Sequence, residues 1–470
     1  MVNNNLSKLV KDKQIIAIIC NQFGDTGKGK FVDYFASHWA DVIARGTGGN
    51  NAGHTIVVNG KEKIFHLLPS GITQDSKGKI NILGNGMAID IKTLCEELEE
   101  LEKENLTYNN LMISNQAHVI MPWHISQDRA KNMSQKNGGI GSTGRGIGPC
   151  YADKIARRGI KISNLFDKEI LEYKINKIKQ FYPEQNIDFR QILSELSPHI
   201  KKIKPFVKNT ILEIHKLKEQ GKKICIEGAQ GLFLSVEHGT YPYVTSSDPS
   251  ISGTASGVGL NPQNIDLTLG IIKFPFMTRV GAGPFPTELG GKKSEDYCAE
   301  GLEHDENYEI KTYIGDENKK EKIVELMNSS DEFTQGVGIR LAAGEYGATT
   351  KRPRRTGWTD AVLARYARKI NGPHFILTKV DSLAHAKKFG ICYKYKTNGD
   401  IVEYESDLKT LNQITPEIKY YEGYSDISNI RDFNDLPLGL KQAIQDFEDF
   451  TSGKVEIISV GADREETIVR

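Results

Sequence analysis

The apolar run Ile15-Ile-Ala-Ile-Ile19, followed almost at once by Gln22-Phe-Gly-Asp-Thr-Gly-Lys-Gly-Lys30, constrains this chain more than any other stretch. A short β-branched run with no polar face must be buried on both sides as a strand, as in a parallel sheet covered by helices. The glycine-rich turn at its end leads into Lys28–Trp39, whose pattern predicts a helix, so backbone amides converge where a phosphate can sit. Asp25 is unexpected in such a turn. A carboxylate repels phosphates unless it holds a metal ion or takes a proton, so the loop predicts chemistry as well as nucleotide binding. The common P-loop differs, with glycine where Gln22 stands and Ser or Thr where Gly29 stands. A plain helix-starting turn is the alternative, and the clustering of Gly24, Gly27 and Gly29 with Lys28 and Lys30 weighs against it.

Charge excludes some partners. The net charge is +1 over 470 residues, which gives neither nucleic acid nor an anionic membrane a reason to bind. Any phosphate is then held by locally placed Lys and Arg. The six cysteines are scattered, with no C-x-x-C pair, a pattern of reduced thiols rather than a disulfide frame or zinc site. The first residues lack a signal-peptide core, and no apolar run reaches transmembrane length. A cytoplasmic protein without membrane or nucleic-acid partners is expected.

Strand-like runs alternate with helical ones along the chain. Strands are expected at Asp41–Ala44, Leu111–Ser114, Ile224–Glu227, Ile271–Phe274, Phe375–Leu377 and Val455–Ser459, and helices at Ile91–Asn105, Asp360–Ile370 and Leu440–Phe450. Asn-Gly dipeptides predict hairpin turns at Asn59-Gly60 and Asn398-Gly399. The alternation argues for one large α/β domain over residues 1–470, with a mainly parallel sheet flanked by helices. Residues 165–220 carry helical periodicity and are expected to form an excursion. Residues 290–340 are polar and charged, and are expected to form a surface insertion with a solvated face.

Further polar, glycine-rich segments follow. Gly48-Gly-Asn-Asn-Ala-Gly-His-Thr55 places Asn51 to bond a ligand, Gly53 to let backbone approach a metal or phosphate, and His54 to donate to developing negative charge. A lone histidine is usually structural, and only the first loop raises this one. Gly138–Gly148 holds six glycines in eleven residues, with Thr143 among them, and Arg157 follows. This is an anion-wrapping loop or a mobile surface loop. Gln230 and Thr245 offer amide and hydroxyl contacts suited to a base or a phosphate, although loop polarity explains them equally. Gly347-Ala-Thr-Thr-Lys-Arg-Pro-Arg-Arg355 packs four cations into five residues, where arginine forks suit carboxylates and phosphates. Thr378-Lys-Val-Asp381 and Ser459-Val-Gly461 end strands, where an aspartate can accept both N–H groups of a guanine.

Taken together, GDTGKGK, NNAGHT, STGRGIGP, EGAQG, TYPYVTSS, TRVGAGPFPTEL, GATTKRPRRTGW, TKVD and SVGADR resemble, in order, the motifs of the adenylosuccinate synthetase family, from about Ile15 to the C-terminus. The resemblance implies a P-loop-NTPase-like parallel-sheet fold. The implied activity is a GTP-dependent, Mg²⁺-requiring ligase joining IMP to L-aspartate through 6-phosphoryl-IMP, in homodimers. It implies Asp25, His54 and Lys28 in catalysis, and Asp25 with Gly53 at the metal. GTP would meet Gly24, Gly27, Lys28, Gly29, Lys30, Gly53, Thr55, Arg354, Lys379, Asp381, Ser459 and Gly461. IMP would meet Asp25, Asn51, Thr143, Gln230, Thr245, Arg352 and, from the partner subunit, Arg157. Aspartate would meet Val280, Thr349, Thr350 and Arg352. The chain departs from the family pattern at Thr26 (Glu), Asn50 (often His), Lys351 (Gly) and Ala462 (Pro). Two alternatives stand beside this expectation: a paralogue with the same chemistry on another purine nucleotide such as (d)GMP, and a catalytically weakened nucleotide-binding regulator.

Overall fold

The computed structural model describes residues 4–58, 61–134, 143–299, 301–347 and 351–470. The apolar run forms the central strand Ile15–Cys20, buried at every position. It sits in a ten-stranded sheet ordered Thr467–Val469, Lys454–Ser459, His374–Thr378, Leu267–Lys273, Ile15–Cys20, Ile224–Glu227, Val42–Arg45, Ile80–Leu83, Leu111–Ser114 and Val207–Lys208. Only the first pair is antiparallel. All other neighbours run parallel, with Ile15–Cys20 registered on Ile224–Glu227 at one side and on Leu267–Lys273 at the other. This is the mainly parallel α/β sheet that the strand alternation predicts.

Expected elements differ from observed ones mainly at their ends. The helix expected at Lys28–Trp39 is Lys28–His38, and Asp360 caps rather than begins Ala361–Asn371, its carboxylate accepting from the amides of Val362 and Leu363. The strand expected at Ile271 begins four residues earlier, at Leu267. The Asn59-Gly60 turn lies outside the described residues. Its flanks pair antiparallel as His54–Val58 with Lys61–Phe65. A second sheet, not foreseen, pairs Phe276–Arg279 with Arg355–Asp360, and Arg355–Asp360 with Lys388–Thr397.

Helices Lys168–Phe181 and Phe189–Ile203 occupy the region expected to be helical. Leu171, Ile175, Ile178 and Ile192 sink into the same core as Leu94 and Leu98 of helix Ile91–Lys103. Each such side chain contributes about 1.5–3 kcal/mol when fully buried, so the excursion is fixed to the body of the domain. The described residues of 290–340 include helices Glu306–Glu309 and the start of Glu332–Ala343, whose buried members include Glu309, Phe333 and Val337. No helix among the described residues is long and apolar enough to cross a membrane.

Candidate active site

A cleft of about 950 Å³ opens beyond the carboxyl ends of the central strands, the position at which open α/β sheets bind ligands. Gly24–Gly29, Asn51–Thr55, Gln230, Thr245, Val280 and Arg354 all line it. Arg352 lines an adjoining recess that it shares with Asp25 and Arg354. Loops more than 200 residues apart in sequence therefore meet in one space because their strands are neighbours in the sheet.

The first loop presents its amides as expected. Helix Lys28–His38 starts at Gly27 with no side-chain cap, so its first-turn N–H groups remain for a ligand. Gly29 admits nothing larger, since a Cβ there would lie 2.7 Å from the Thr55 carbonyl; this contact presses the first loop against the second. Asp25 and Gln230 hold left-handed backbone, at φ 48° and 49°, conformations that non-glycine residues keep only where surrounding structure imposes them. Lys28 Nζ donates to the Gln230 carbonyl at 2.7 Å.

Asp25 ends a row of alternating charges. Arg354 Nη2 lies 2.9 Å from Asp25 Oδ2, and Arg354 Nη1 donates to Glu345 Oε2 at 2.6 Å. Lys273, at the end of a central strand, donates to the same Glu345 oxygen at 2.5 Å. Burial pushes Lys273 down to about 8, against the pull of Glu345. Burial would raise Glu345, but Lys273 and Arg354 outweigh it and hold the carboxyl at about 2.

His54 has a comparable support. Its Nδ1 lies 2.5 Å from Glu227 Oε1, and its buried Nε2 has no partner among the described residues. Glu227 also accepts from the Ser70 amide at 2.9 Å and from the Ser70 hydroxyl at 2.5 Å. Burial opposes the Glu227 charge, yet His54, Arg45 and Ser70 hold the carboxyl at about 2. Burial, with Arg45 and Lys28 nearby, draws His54 below its ordinary value despite Glu227. The pair is therefore an ionised carboxylate beside a neutral imidazole, on a residue that lines the cleft.

A second group of expected residues converges away from the cleft wall. Lys30 Nζ donates to Ser459 Oγ and the Gly461 carbonyl, both at 2.7 Å. Burial draws it down to about 8, with Asp381 as its leading opposing charge. Lys379 lines the cleft beside this group with φ 60°, its Nζ on the Ala343 carbonyl at 2.8 Å. Thr143 lines the cleft on an exposed stretch. Arg157 does not reach it; this residue lies exposed, with φ 62°, in the turn after helix Ile147–Ile155. Thr349 and Thr350 fall outside the described residues.

Sequence reasoning missed Glu227, Glu345, Arg45 and Lys273. The available signal was an acidic or basic residue ending an apolar run, as in Ile224-Cys-Ile-Glu227 and Ile271-Ile-Lys273. A charge at the buried end of a parallel strand needs a partner.

The family model described as "Adenylosuccinate synthetase" matches residues 17–468. Adenylosuccinate synthetase of Thermoanaerobacter sp. (strain X514) is 39% identical, over 97% of this chain and 98% of that protein. That of Caldanaerobacter subterraneus subsp. tengcongensis is 38% identical, over 97% and 99%. Among solved structures, fully ligated adenylosuccinate synthetase from Plasmodium falciparum superposes with TM-score 0.82 at 32% identity, covering 97% of this chain and 100% of that one. A cyanophage S-2L succinoaminodeoxyadenylate synthetase bound to dGMP and dATP gives TM-score 0.54 at 18% identity, over 97% and 95%, a likeness of fold alone.

Proposed function

We propose a division of labour in this cleft from one premise: the chain belongs to the adenylosuccinate synthetase family. Its reaction joins IMP to L-aspartate with GTP, giving adenylosuccinate, GDP and phosphate on the route from IMP to AMP. The Asp25 carboxylate takes the N1 proton of IMP, which turns O6 into a nucleophile. O6 then attacks the γ-phosphorus of GTP, the bond from the γ-phosphorus to the β–γ bridging oxygen breaks, and GDP leaves. His54 Nε2 hydrogen-bonds the β–γ bridging region, while Lys28 and the loop amides neutralise the equatorial oxygens. The aspartate amine next attacks C6, and phosphate departs carrying the former O6.

The remaining assignments follow the same frame. Asn51, Gln230, Thr245, Thr143 and Arg352 hold IMP. Val280, Thr349, Thr350 and Arg352 receive aspartate. Lys30, Lys379, Asp381, Ser459 and Gly461 surround the guanine, with Arg354 on GTP. Oxygen donors suit Mg²⁺, which takes one or two carboxylates and completes its shell with phosphate oxygens and water. Asp25 and the Gly53 carbonyl line the same cleft and would hold the ion, whose charge eases phosphoryl transfer. The exposed Arg157, together with Ile155 at 76% exposure at the end of the preceding helix, supports a homodimer in which Arg157 reaches the partner's IMP phosphate. The free cysteines, all but Cys298 buried, fit a cytosolic setting.

One observation supports this reading most: Asp25 and the Glu227-supported His54 share a cleft with the phosphate loop. Incubation with IMP, GTP, Mg²⁺ and aspartate is expected to yield adenylosuccinate absorbance and one GDP per product, with dGMP unable to replace IMP. Product from dGMP but not IMP would favour the paralogue, and GTP turnover indifferent to both IMP and aspartate would contradict the ligase assignment.

A further inference from the structure

The inserted-looking segment 290–340 reaches the site through one buried carboxylate. Glu309 ends the helix Glu306–Glu309, is fully buried, and is paired with the equally buried Arg340. Arg340 Nε lies 3.0 Å from both Glu309 oxygens and Nη2 lies 2.5 Å from Oε1. Two further bonds leave this pair in the direction of the cleft. The Tyr346 hydroxyl donates to Glu309 Oε2 at 2.5 Å, and Arg340 Nη1 donates to the Arg354 carbonyl at 2.9 Å.

Tyr346 and Arg354 stand on two paired stems, Glu345–Gly347 and Lys351–Arg354. The stems are joined by the Arg354 amide on the Glu345 carbonyl at 2.9 Å and by the Gly347 amide on the Arg352 carbonyl at 2.8 Å. Tyr346 faces Pro353 as an isolated antiparallel bridge. Glu345 and Arg354 in turn fix the ion pair to Asp25. The residues just before Glu309, namely Asp305, Glu306 and Asn307, line the cleft themselves. A solvated insertion has no need of a buried ion pair, because removing two charges from water costs several kcal/mol each unless their bonds are complete.

We propose that Glu309 is a positioning residue for the amino-acid substrate: together with Arg340 it clasps both stems that carry Glu345–Gly347 and Lys351–Arg354. This rests on the assignment of Arg352 to aspartate. Lys351, which stands where the family has glycine, lies on one of these two stems, its amide on the Gly347 carbonyl at 2.9 Å.

The test is Tyr346→Phe, which removes one hydroxyl and leaves the Glu309–Arg340 pair and the packing intact. The expected result is an aspartate KM raised roughly tenfold, the scale of one hydrogen bond to a charged group, with clearly smaller rises for IMP, which shares Arg352, and for GTP, which meets Arg354, and the Tm essentially unchanged. In Glu309→Leu/Arg340→Met, which replaces the pair with apolar groups of similar volume, the aspartate KM rises alike, and adding Tyr346→Phe changes nothing further. An unchanged aspartate KM in Tyr346→Phe, or an equal rise for all three substrates, overturns the clasp. Wild-type activity separates the two readings: an active wild type with an indifferent Tyr346→Phe overturns the clasp alone, and an inactive wild type overturns both.

Discussion

Asp25→Asn is expected to lower the rate of adenylosuccinate formation at least about a hundredfold, the usual loss when a positioned general base is removed. The substitution is close to isosteric, and asparagine tolerates the left-handed backbone that Asp25 adopts at φ 48° at least as well as aspartate. The side chain is about one-third exposed, and its ion-pair partner Arg354 keeps a second carboxylate in Glu345. Folding is therefore spared, and the Tm should move by no more than about 2 °C, as for a change below 1 kcal/mol in a chain of this size. Mixing Asp25→Asn with Arg157→Ala adds a second readout. If Arg157 serves the partner's site, hybrid dimers contain one site with both residues intact, and activity appears that neither parent has. A full rate in Asp25→Asn would remove the base, and a mixture without activity would remove the shared site.

Glu227→Gln is expected to damage both stability and rate. Glu227 and Arg45 are both fully buried, and removing one partner of a buried charge network costs about 3–5 kcal/mol. The catalytic loss follows from geometry: a neutral amide, which can also turn its NH2 toward Nδ1, orients the His54 ring less firmly than the carboxylate, and the rate should fall by up to roughly a hundredfold, the scale of losing one preorganised donor. The pH dependence has a definite sign. Burial opposes the carboxylate, but His54, Arg45 and Ser70 hold it at about 2, below its ordinary 4.5. The folded-state value is thus depressed, so its stabilisation is present above pH 4.5 and is lost as pH falls towards 2. Thermal unfolding of the wild type between pH 5 and 2 should show this loss, and the same scan of Glu227→Gln should be flatter. Equal slopes in both proteins would place the charge elsewhere.

The parallel strands were legible because full burial writes them as unbroken β-branched runs, as at Ile15–Ile19 and Ile224–Glu227. Leu267–Lys273 was read short because Gly270 looks like a break. It marks instead a close approach, since a Cβ there would meet the Asn21 side chain at 1.9 Å. Four cations in five residues read as one anion site, yet they divide on folding. Arg355 turns to Glu288, with Nε on Oε1 at 2.8 Å, and to the Gly283 carbonyl, whereas Arg354 faces Asp25. Charge density in a sequence does not say which cation is consumed by structure. The loop residues themselves were legible through glycine and histidine content, but their supports were not. Glu227, Glu345 and Glu309 each act across more than 30 residues of chain, and only the tertiary fold brings them to their partners. Thr26 remains without a structural explanation: its hydroxyl is buried and has no partner among the described residues.

The central claim is that Asp25 makes O6 of IMP the nucleophile for the γ-phosphorus of GTP. IMP carrying ¹⁸O at position 6 tests it directly, with the released phosphate analysed by mass. The account predicts one ¹⁸O in each phosphate formed with adenylosuccinate, and no labelled phosphate above background with Asp25→Asn. Unlabelled phosphate accompanying wild-type product would mean that O6 never bonded to phosphorus, and would contradict the mechanism at its first step.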